Sequence, residues 1–482
     1  MIGDFVDVPW MVALIILPLV GGIACFLFPA ISKSLGLIFG LAIFASMGGL
    51  GWQLLELGAQ RYAVGGWGAP LGIDLYADGL SLLMLAVTVF VGLGVSTYAS
   101  GYFDQLKARH FWPLWMFLWA ALNALFLSAD IFNLYVTLEL VGLAAVALVA
   151  LAGSANALAG AMRYLLVSLL GSLAYLLGVA LLYHSFGSVD IDILSQRMEA
   201  TPAAWAAVGL MSAGLLLKTA LFPLHFWLPP AHASAPAPVS ALLSALVVKA
   251  SFYILLRLWL EVFPVTGTYL GQLLGLLGAA AVLWGGIQAL RQTRLKLLIA
   301  YSTVAQLGYL FLAFPLGTSI AWKGALYMLL SHAVAKAAMF MAAGNILLFS
   351  GHDRIADLDR VAQRLPLTLT AFSLAGVSIM GLPPSGGFIA KWLLLEAAMR
   401  SGQWWWAGIL ILGGLLAAAY VFKVIGYAFI SAKITHEPGV VPARMEWAAL
   451  VLAIMAILLG LFTSGPLALL EIGSPFGRGS AG

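Results

Sequence analysis

The chain has 482 residues, of which 63% are hydrophobic and only 9% are charged. Soluble domains carry about 25% charged residues, so the composition excludes a string of soluble domains. The net charge of +4 is small and the basic residues are scattered, which argues against a nucleic-acid-binding surface. The single cysteine, Cys25, can form neither an internal disulfide nor an iron–sulfur cluster. We therefore expect no metal, cofactor or catalytic redox centre in this chain.

Apolar runs of about 20 residues recur along the whole chain, the length that a helix needs to cross roughly 30 Å of hydrocarbon. The runs are continuous rather than alternating, and lipid leaves no backbone group unpaired, so they predict helices. The sequence predicts an all-α integral membrane protein with about 14 transmembrane helices, at residues 9–28, 34–55, 79–98, 111–128, 132–152, 164–183, 204–222, 239–259, 271–290, 297–314, 322–349, 367–400, 405–430 and 445–462.

An even number of spans places both termini on one side, and the loop charges indicate which side. With the N-terminus outside, the external segments hold few basic residues: Arg61, Arg197, Arg400 and Arg478. The cytoplasmic loops then hold the larger set: Lys33, Lys107, Arg109, Arg163, Arg291, Arg294, Lys296, Arg354, Arg360, Arg364, Lys433 and Arg444. The positive-inside rule predicts that both termini lie outside the plasma (inner) membrane of a prokaryote.

The remaining basic residues and two acids fall within the predicted spans: Lys218, Lys249, Arg257, Lys323, Lys336, Lys391, Lys423, Glu139 and Glu396. A charge at the bilayer centre costs about 3 kcal/mol, so these side chains should face protein or water. Arg257, Lys323 and Lys423 lie nearer span ends, where a long side chain can snorkel to the interface. Lys423 is also a candidate for proton access.

Lys249 and Lys336 lie near the middle of their spans, too far from either interface to snorkel. Glu139 lies seven residues into the fifth span and needs a counter-charge or a proton there. A structural ion pair is the alternative explanation for the two lysines. The central positions favour a role in moving ions.

Lys218 and Lys391 both lie beside expected helix breaks. Lys218 precedes Pro223, and Lys391 follows the segment GLPPSGG at 381–387. Proline removes an intrahelical hydrogen bond, and broken helices at membrane depth recur at the ion sites of secondary transporters. We expect both lysines to take part in ion translocation.

Three histidines accompany these charges. His332 lies one helical turn before Lys336 on the same helix face, which suggests a proton relay, with simple packing as the alternative. We expect His225 and His232 in the loop after the seventh span. There they would either pass protons to the cytoplasm or stabilise the loop.

The lysine spacing suggests an internal repeat. Lys218 and Lys249 are 31 residues apart, Lys391 and Lys423 are 32 apart, and the pairs are offset by 173 residues, or five helices. An odd number of helices inverts the second unit relative to the first. The predicted organisation is three N-terminal helices at 1–110, five-helix units at 111–260 and 271–430, and a last helix with a short tail at 445–482.

These residues suggest a mechanism. A poorly hydrated site disfavours the charged form of a lysine, and a nearby carboxylate favours it. Movement of the carboxylate therefore switches the lysine between holding and releasing a proton. We hypothesise a hydrated file across the membrane plane that runs through Glu139, Lys218, Lys249, His332, Lys336 and Lys391.

The segments that carry these residues resemble the antiporter-type membrane subunits shared by respiratory complex I, Mrp cation/proton antiporters and membrane-bound energy-converting hydrogenases. The resemblance covers about residues 72–430 and rests on five segments in the same order: ADIFNLYVTLELVG, LLLKTALFPLHFWLPPAHASAPAPVSALLSALVVKA, RQTRLKLLIAYSTVAQLGY, SHAVAKAAMFMAAGNI and GLPPSGGFIAKWLL. The first and last look closest to the Mrp D-type or hydrogenase-type subunits.

The resemblance implies a fourteen-helix core with two inverted five-helix units and broken seventh and twelfth helices. It also implies proton conduction through Glu139, Lys218, Lys249 and Lys391. Such subunits work beside other hydrophobic subunits of a membrane complex in the lipid bilayer, and any redox cofactors are on other chains. The expected ions are H⁺ and, as counter-ion, Na⁺; no nucleic acid is expected.

Three functions fit the sequence. The first is a cation/proton antiporter subunit, and the second is the proton-pumping subunit of a redox complex such as an NADH:quinone oxidoreductase, a membrane-bound hydrogenase or a formate hydrogenlyase. The third is a membrane scaffold, which does not need costly buried charges. The central lysines disfavour the scaffold, and both proton-moving functions stay open because they use the same residues.

Overall fold

The computed structural model describes residues 8–263, 267–431, 438–474 and 476. The loop charges Lys433 and Arg478, and most of the predicted tail after residue 474, lie outside the described residues.

The described chain is built of helices, with one small hairpin. The helices are α1 Trp10–Leu27, α2 Ser32–Leu57, α3 Gly79–Tyr102, α4 Gln105–Leu127, α5 Ile131–Ala150, α6 Ala155–Phe186, α7 Ile191–Arg197, α8 Pro202–Thr219, α9 Leu228–Ser234, α10 Ala237–Glu261, α11 Gly267–Arg291, α12 Leu295–Leu316, α13 Ser319–Ser350, α14 Pro366–Met380, α15 Gly386–Arg400, α16 Trp404–Ala428, α17 Ala443–Leu461 and α18 Ser464–Leu469. Strands β1 Gln60–Ala63 and β2 Asp74–Ala77 pair antiparallel. Short helical turns lie at Pro29–Ile31, Val64–Gly66, Ile355–Asp357 and Val361–Arg364.

Thirteen helices of the described chain are long and apolar enough to cross a membrane. The remaining span, the twelfth in chain order, consists of two shorter helices, α14 and α15, separated by residues 381–385. The predicted all-α membrane protein of about fourteen spans is confirmed. Five spans separate corresponding positions of the two five-helix units, so the second unit is inverted.

Both predicted helix breaks are present. Helix α8 ends at Thr219, and Ala220 then adopts the left-handed conformation with φ +58°. Helix α14 ends at Met380 before Gly381, with φ +80°. A left-handed residue after the last turn is a common way to end a helix. At the second break, the backbone carbonyls of Ile379 and Met380 accept hydrogen bonds from Lys391.

The turns between helices form two faces. One face carries residues 58–78, 128–130 and 187–201, and we call it the N-terminal face. Bridges between Leu75 and Ser128 and between Asp130 and Asp190 join these segments. On the opposite face a bridge joins Arg294 and Arg354. The amide of Gly79 donates to Ile472 O at 2.8 Å, so the chain end returns to the N-terminal face, as an even number of spans requires.

The two five-helix units meet at the centre of the molecule. Helix α10 packs on α13, and α9 packs on α12. The most apolar stretch of α10 is buried along its whole length, although it carries Lys249. This central position explains why charges on α10 and α13 cannot reach the lipid–water interface.

Close packing of α6 on α8 depends on two glycines. A Cβ atom at Gly214 would lie 2.2 Å from the carbonyl oxygen of Gly171, and a Cβ at Gly171 would lie 3.1 Å from Lys218 Cγ. Small residues allow this backbone approach in membrane helices. The contact places Lys218 close to α5, which carries Glu139, the partner of its ammonium group.

Candidate functional site

An ion pair forms the first part of the site. Lys218 Nζ lies 3.0 Å from Glu139 Oε1, and the side chains are 6% and 19% exposed. Ser172 Oγ donates a hydrogen bond to the same carboxylate oxygen. The structure therefore supplies the counter-charge that a glutamate at membrane depth requires.

A small cavity adjoins Lys218 on the side towards α10. Its lining includes Tyr164, Ser168, Lys218 and Ser251, and its volume of about 10 Å³ is close to the space that one water molecule needs. Thr219 Oγ1 donates to Ser251 Oγ at 2.9 Å, which links α8 to α10 by hydroxyl groups. A proton that leaves Lys218 thus meets polar groups rather than hydrocarbon.

Lys249 follows an irregular turn of α10. Residues Leu243–Val247 form a π-helical turn, a feature that is frequent at functional sites. The fully buried Lys249 Nζ donates to the carbonyl of Ser244, which lies in this turn. Ser244 Oγ in turn shares a hydrogen bond of 2.9 Å with Thr303 Oγ1 on α12.

Lys336 continues this series of polar contacts in the second unit; we call the series from Glu139 and Lys218 through Lys249 and Lys336 to Lys391 the polar chain. Its ammonium group donates to Ile299 O at 3.0 Å and to Ser302 Oγ. Thr303 Oγ1 donates to the same Ile299 carbonyl at 3.0 Å. The contacts between Lys249 and Lys336 therefore run through Ser244 on α10 and through Thr303 and Ile299 on α12.

Two histidines lie beside these lysines. His332 and His232 are fully buried, and neither ring has a hydrogen-bond partner among the described residues. Both rings are close enough to Lys249 and Lys336 to interact electrostatically, and His232 stacks on Phe340 with ring centroids 4.8 Å apart. The prediction that His332 accompanies Lys336 agrees with this placement, while its relay role stays a prediction.

The loop position expected for His232 is wrong. Pro229 and Pro230 stand in the first turn of α9, where proline is tolerated because the amide has no intrahelical partner. The segment therefore folds into a short buried helix that carries His232 inward. His225 does lie in the turn between α8 and α9, where it stacks on Phe222 with centroids 5.5 Å apart.

Lys391 lies in α15, and its ammonium group reaches the break of the twelfth span. Its Nζ donates to Ile379 O at 3.1 Å and Met380 O at 2.9 Å, and it lies 4.7 Å from the Tyr309 ring centroid. The carbonyl end of a helix favours a cation. Gln306 Nε2 on α12 also donates to Ile379 O, at 3.2 Å, which links Lys391 to the helix that carries the Lys336 partners.

A larger cavity lies beside Lys391. It measures about 270 Å³ between α15 and α16, and its lining is mainly apolar, including Phe388, Trp392, Leu410 and Leu415. Lys391 is the charged residue of this lining. The cavity gives this end of the polar chain more room than the Lys218 end has.

Lys423 does not continue the chain of contacts. Its ammonium group binds the carbonyls of Leu290 and Gln292, both at 2.8 Å, at the end of α11. Glu396 pairs with Arg400 one turn along α15, at 2.6 Å. Proton access through Lys423 stays a prediction.

The snorkelling predicted for Arg257 is wrong. The side chain is 3% exposed, and its guanidinium binds both oxygens of Asp78 at 2.6 and 2.9 Å and Glu261 at 2.8 Å. An ion pair satisfies this charge inside the protein, although it lies near a helix end. Lys323, in contrast, lies near the start of α13 and pairs with Glu471 close to the surface.

The sequence prediction missed the neutral groups between the charges. Ser172, Ser244, Thr303 and Gln306 each bind a charged group or a carbonyl that a charged group also binds. A signal was present for the first: Ser168 and Ser172 lie four residues apart on one face of an apolar helix. The others depend on the rotation of helices that are distant in sequence.

Fourteen spans, two five-helix units with broken helices and a row of buried cations define a multi-pass, antiporter-like membrane subunit. The family model described as NADH:quinone oxidoreductase/Mrp antiporter, TM matches residues 128–417. This match covers more than half of the chain, and the chain belongs to that family.

Relatives of two kinds are similar to the chain. It is 38% identical to NADH-quinone oxidoreductase subunit N of Desulforudis audaxviator, over 83% of this chain and 84% of that protein. It is 29% identical to the D-type subunit of the Na(+)/H(+) antiporter of Bacillus subtilis, over 84% of both chains.

Solved structures share the fold. A chain of the archaeal membrane-bound sulfane sulfur reductase matches with a TM-score of 0.90 and 27% identity, over 97% of this chain and 98% of that chain. A chain of the Mrp complex from Dietzia sp. matches with a TM-score of 0.89 and 24% identity, with the same coverage. A chain of respiratory complex I from Thermus thermophilus matches with a TM-score of 0.75 and 27% identity, over 94% and 98%.

Proposed function

We propose that this chain conducts protons through the membrane as an antiporter-like subunit. The observation that carries the proposal is the Glu139–Lys218 ion pair at 3.0 Å, placed at one end of the polar chain that leads through Lys249 and Lys336 to Lys391. A scaffold does not need such a row of buried cations, which costs several kcal/mol to bury.

The ion pair is suited to act as a switch. While Glu139 faces Lys218, the carboxylate stabilises the protonated ammonium group. When the two separate, the desolvated ammonium group releases its proton towards the small cavity and Ser251. The one proton that Lys218 loses passes to a hydroxyl or a water on the α10 side.

Transfer between the two units uses hydroxyl groups. A hydroxyl accepts a proton on one lone pair and releases its own, so Ser244 and Thr303, whose hydroxyls are in hydrogen-bond contact, can pass a proton between α10 and α12 without a net change. On the α12 side, Ser302 Oγ accepts a hydrogen bond from Lys336. His332, close to both lysines, offers an imidazole for the same step. Lys391 then exchanges its proton with one aqueous side through the break in the twelfth span.

Lysine substitutions test the proposal. Lys218→Ala and Lys391→Ala in the complete complex should abolish pH-gradient-driven proton flux in sealed vesicles, while membrane insertion stays normal. The matched control is Lys107→Ala, because Lys107 is exposed on the opposite face. Wild-type flux in both variants of the buried lysines would refute proton conduction by this route.

The complex that contains the chain follows from its relatives as a proposal. Identity of 29% to a D-type subunit of a Na(+)/H(+) antiporter supports a cation/proton antiporter of the D type, with Na⁺ as counter-ion. Identity of 38% to an NADH-quinone oxidoreductase subunit N favours the second candidate, a proton-pumping subunit of a redox complex. Co-purification decides between them: iron–sulfur or nickel proteins indicate redox coupling, and small hydrophobic Mrp-like subunits indicate antiport.

The loop charges support an orientation with the N-terminal face outside the prokaryotic plasma membrane. In a Cys25→Ser background, Leu71→Cys on the exposed N-terminal face should react with an impermeant thiol reagent added to intact cells. Leu106→Cys, exposed at the start of α4 on the opposite face, should react after the cells are opened. The reverse labelling pattern would contradict the proposed orientation.

A further inference from the structure

Four aspartates and one arginine form a cluster on the N-terminal face. Arg61 Nε lies 2.7 Å from Asp74 Oδ2, and its terminal nitrogens bind Asp190 and Asp192. Asp130 is joined to Asp190 by a backbone bridge and lies close enough to Asp74 and Asp190 to interact electrostatically. Arg61 thus neutralises part of this acidic group but does not bind Asp130 in the contacts of the described residues.

The two carboxylate oxygens of Asp130 differ in their hydrogen bonding among the described residues. Its Oδ1 accepts the Asn133 amide at 2.6 Å and caps α5, whereas Oδ2 is buried without a hydrogen-bond partner among the described residues. The residue is 7% exposed. A buried carboxylate oxygen without a donor is costly unless it carries a proton or binds a cation.

Electrostatics favour the proton. Burial raises the pKa of Asp130, the carboxylates of Asp190 and Asp74 raise it further, and the backbone amides of Asn133 and Phe132 oppose the shift. The described groups that face Asp130 from neighbouring elements are Asp74 of β2, Asp190 before α7 and Tyr175 of α6, with Arg61 of β1 behind the aspartates. Arg61 binds Asp74, Asp190 and Asp192 directly, so Asp130 is the acid of this group that has no guanidinium partner among the described contacts.

Hydroxyl groups lead from Asp130 towards the ion pair. Tyr175 OH on α6 donates to Ile131 O at 3.1 Å and is close enough to Asp130 to interact with it electrostatically. Ser172 lies three residues earlier on the same face of α6 and donates to Glu139. Asp130 and Glu139 are nine residues apart on α5, about 13 Å along the axis, and the two α6 hydroxyls lie beside this interval.

We propose that Asp130 is a proton-binding site on the N-terminal face and that Tyr175 and Ser172 carry its proton to Glu139. The inference rests on the proposed proton conduction and adds an entrance to it. In the transfer Asp130 loses one proton to the tyrosine hydroxyl, which releases its own towards Ser172, and Ser172 releases its own to Glu139. Protonated Glu139 then frees the Lys218 ammonium group from its partner.

Two isosteric substitutions test the route, each with a matched control. Asp130→Asn and Tyr175→Phe in the complete complex should lower pH-gradient-driven flux by about tenfold or more, the scale of a lost proton-transfer group. Asn caps a helix as Asp does, and the neutral amide resembles the protonated acid, so the fold should persist. The controls are Asp104→Asn, an exposed cap of α4, and Tyr183→Phe, 58% exposed on α6. Both controls should keep wild-type flux.

The outcomes separate this inference from the proposed function. Wild-type flux in both Lys218→Ala and Lys391→Ala would refute the proposed proton conduction. Loss of flux in Lys218→Ala, with wild-type flux in Tyr175→Phe, would refute the Asp130 route alone. Infrared difference spectra between acidic and alkaline samples give an independent readout: Asp130→Asn should remove one protonated carboxyl band that Asp104→Asn leaves in place. An unchanged carboxyl band would overturn the assignment of the proton to Asp130.

Discussion

At the scale of single residues, the chain is governed by the cost of charge in hydrocarbon. Glu139 and Lys218 are each acceptable at membrane depth because the other is 3.0 Å away and Ser172 adds a hydrogen bond. Arg257 is acceptable because Asp78 binds it through two oxygens. Lys249, Lys336 and Lys391 bind backbone carbonyls, a weaker form of compensation that suits groups that gain and lose protons.

The ion pair predicts a measurable coupling. Glu139→Gln leaves the buried Lys218 ammonium group without its carboxylate and should destabilise the protein by roughly 3 kcal/mol. The double variant with Lys218→Met should be less destabilised than the sum of the single changes, because no unpaired charge is left. Denaturant unfolding of the purified protein in detergent measures both, with Glu56→Gln, an exposed residue of α2, as control. Simple additivity would contradict the coupling.

At the scale of elements, two features place the charges: the breaks in the seventh and twelfth spans, and the close contact of α6 with α8. The breaks expose carbonyls such as Ile379 O and Met380 O, which hold Lys391. The helix contact brings the α8 lysine to the α5 glutamate across α6. Local sequence sets the first feature, and small residues on facing helices set the second.

The left-handed residues at the two breaks, Ala220 and Gly381, should change stability in opposite directions when they are substituted. Ala220→Gly should raise stability by up to about 1 kcal/mol, because the strain of roughly 1–2 kcal/mol at φ +58° outweighs the extra entropy of glycine in the unfolded chain. Gly381→Ala should lower stability by a similar amount and reduce flux, because its Cβ would lie 2.5 Å from Lys391 Cδ. Thermal unfolding and vesicle flux test the pair, and equal signs would refute the explanation.

The α6–α8 contact predicts that one methyl group separates the ion pair. Gly214→Ala places its Cβ 2.2 Å from the Gly171 carbonyl, so the helices must part, at a cost of about 1–3 kcal/mol. Flux should fall with stability, because Lys218 moves away from Glu139. Gly209→Ala on the same helix is the control, since a Cβ there meets no atom within 4 Å among the described residues. Normal flux in Gly214→Ala would show that the contact does not position Lys218.

At the scale of the whole molecule, the two five-helix units become one path through a few contacts at their interface. Ser244 on α10 and Thr303 on α12 join Lys249 to the groups around Lys336. Both flanking helices are buried at the centre of the fold. A proton that moves from one unit to the other must pass this interface.

Removal of the interfacial hydroxyl should interrupt the path without unfolding the protein. Thr303→Val keeps the side-chain shape but removes the donor to Ile299 O and the partner of Ser244, and we expect flux to fall about tenfold. Thr88→Val is the control, because Thr88 is equally buried on α3 and its hydroxyl donates to Met84 O within its own helix. Equal flux in the two variants would indicate another route between the units.

The sequence alone determined the properties that depend on local composition. Apolar runs of membrane length predicted the spans, and Pro223 and the segment 381–387 predicted the two breaks, because proline acts on its own helix. The positions of the buried lysines and Glu139 were also readable, since a charge in an apolar run stands out. Motif order was enough to identify the family.

Tertiary structure alone decided which groups meet across helices. The pairing of Arg257 with Asp78, the burial of His232 on Phe340 and the contact of Ser244 with Thr303 join residues that are 59 to 179 positions apart. Such contacts depend on the rotation and depth of each helix, and one apolar helix can bury several of its faces equally well. Packing against distant helices selects one face, and no periodicity within a single helix contains that information.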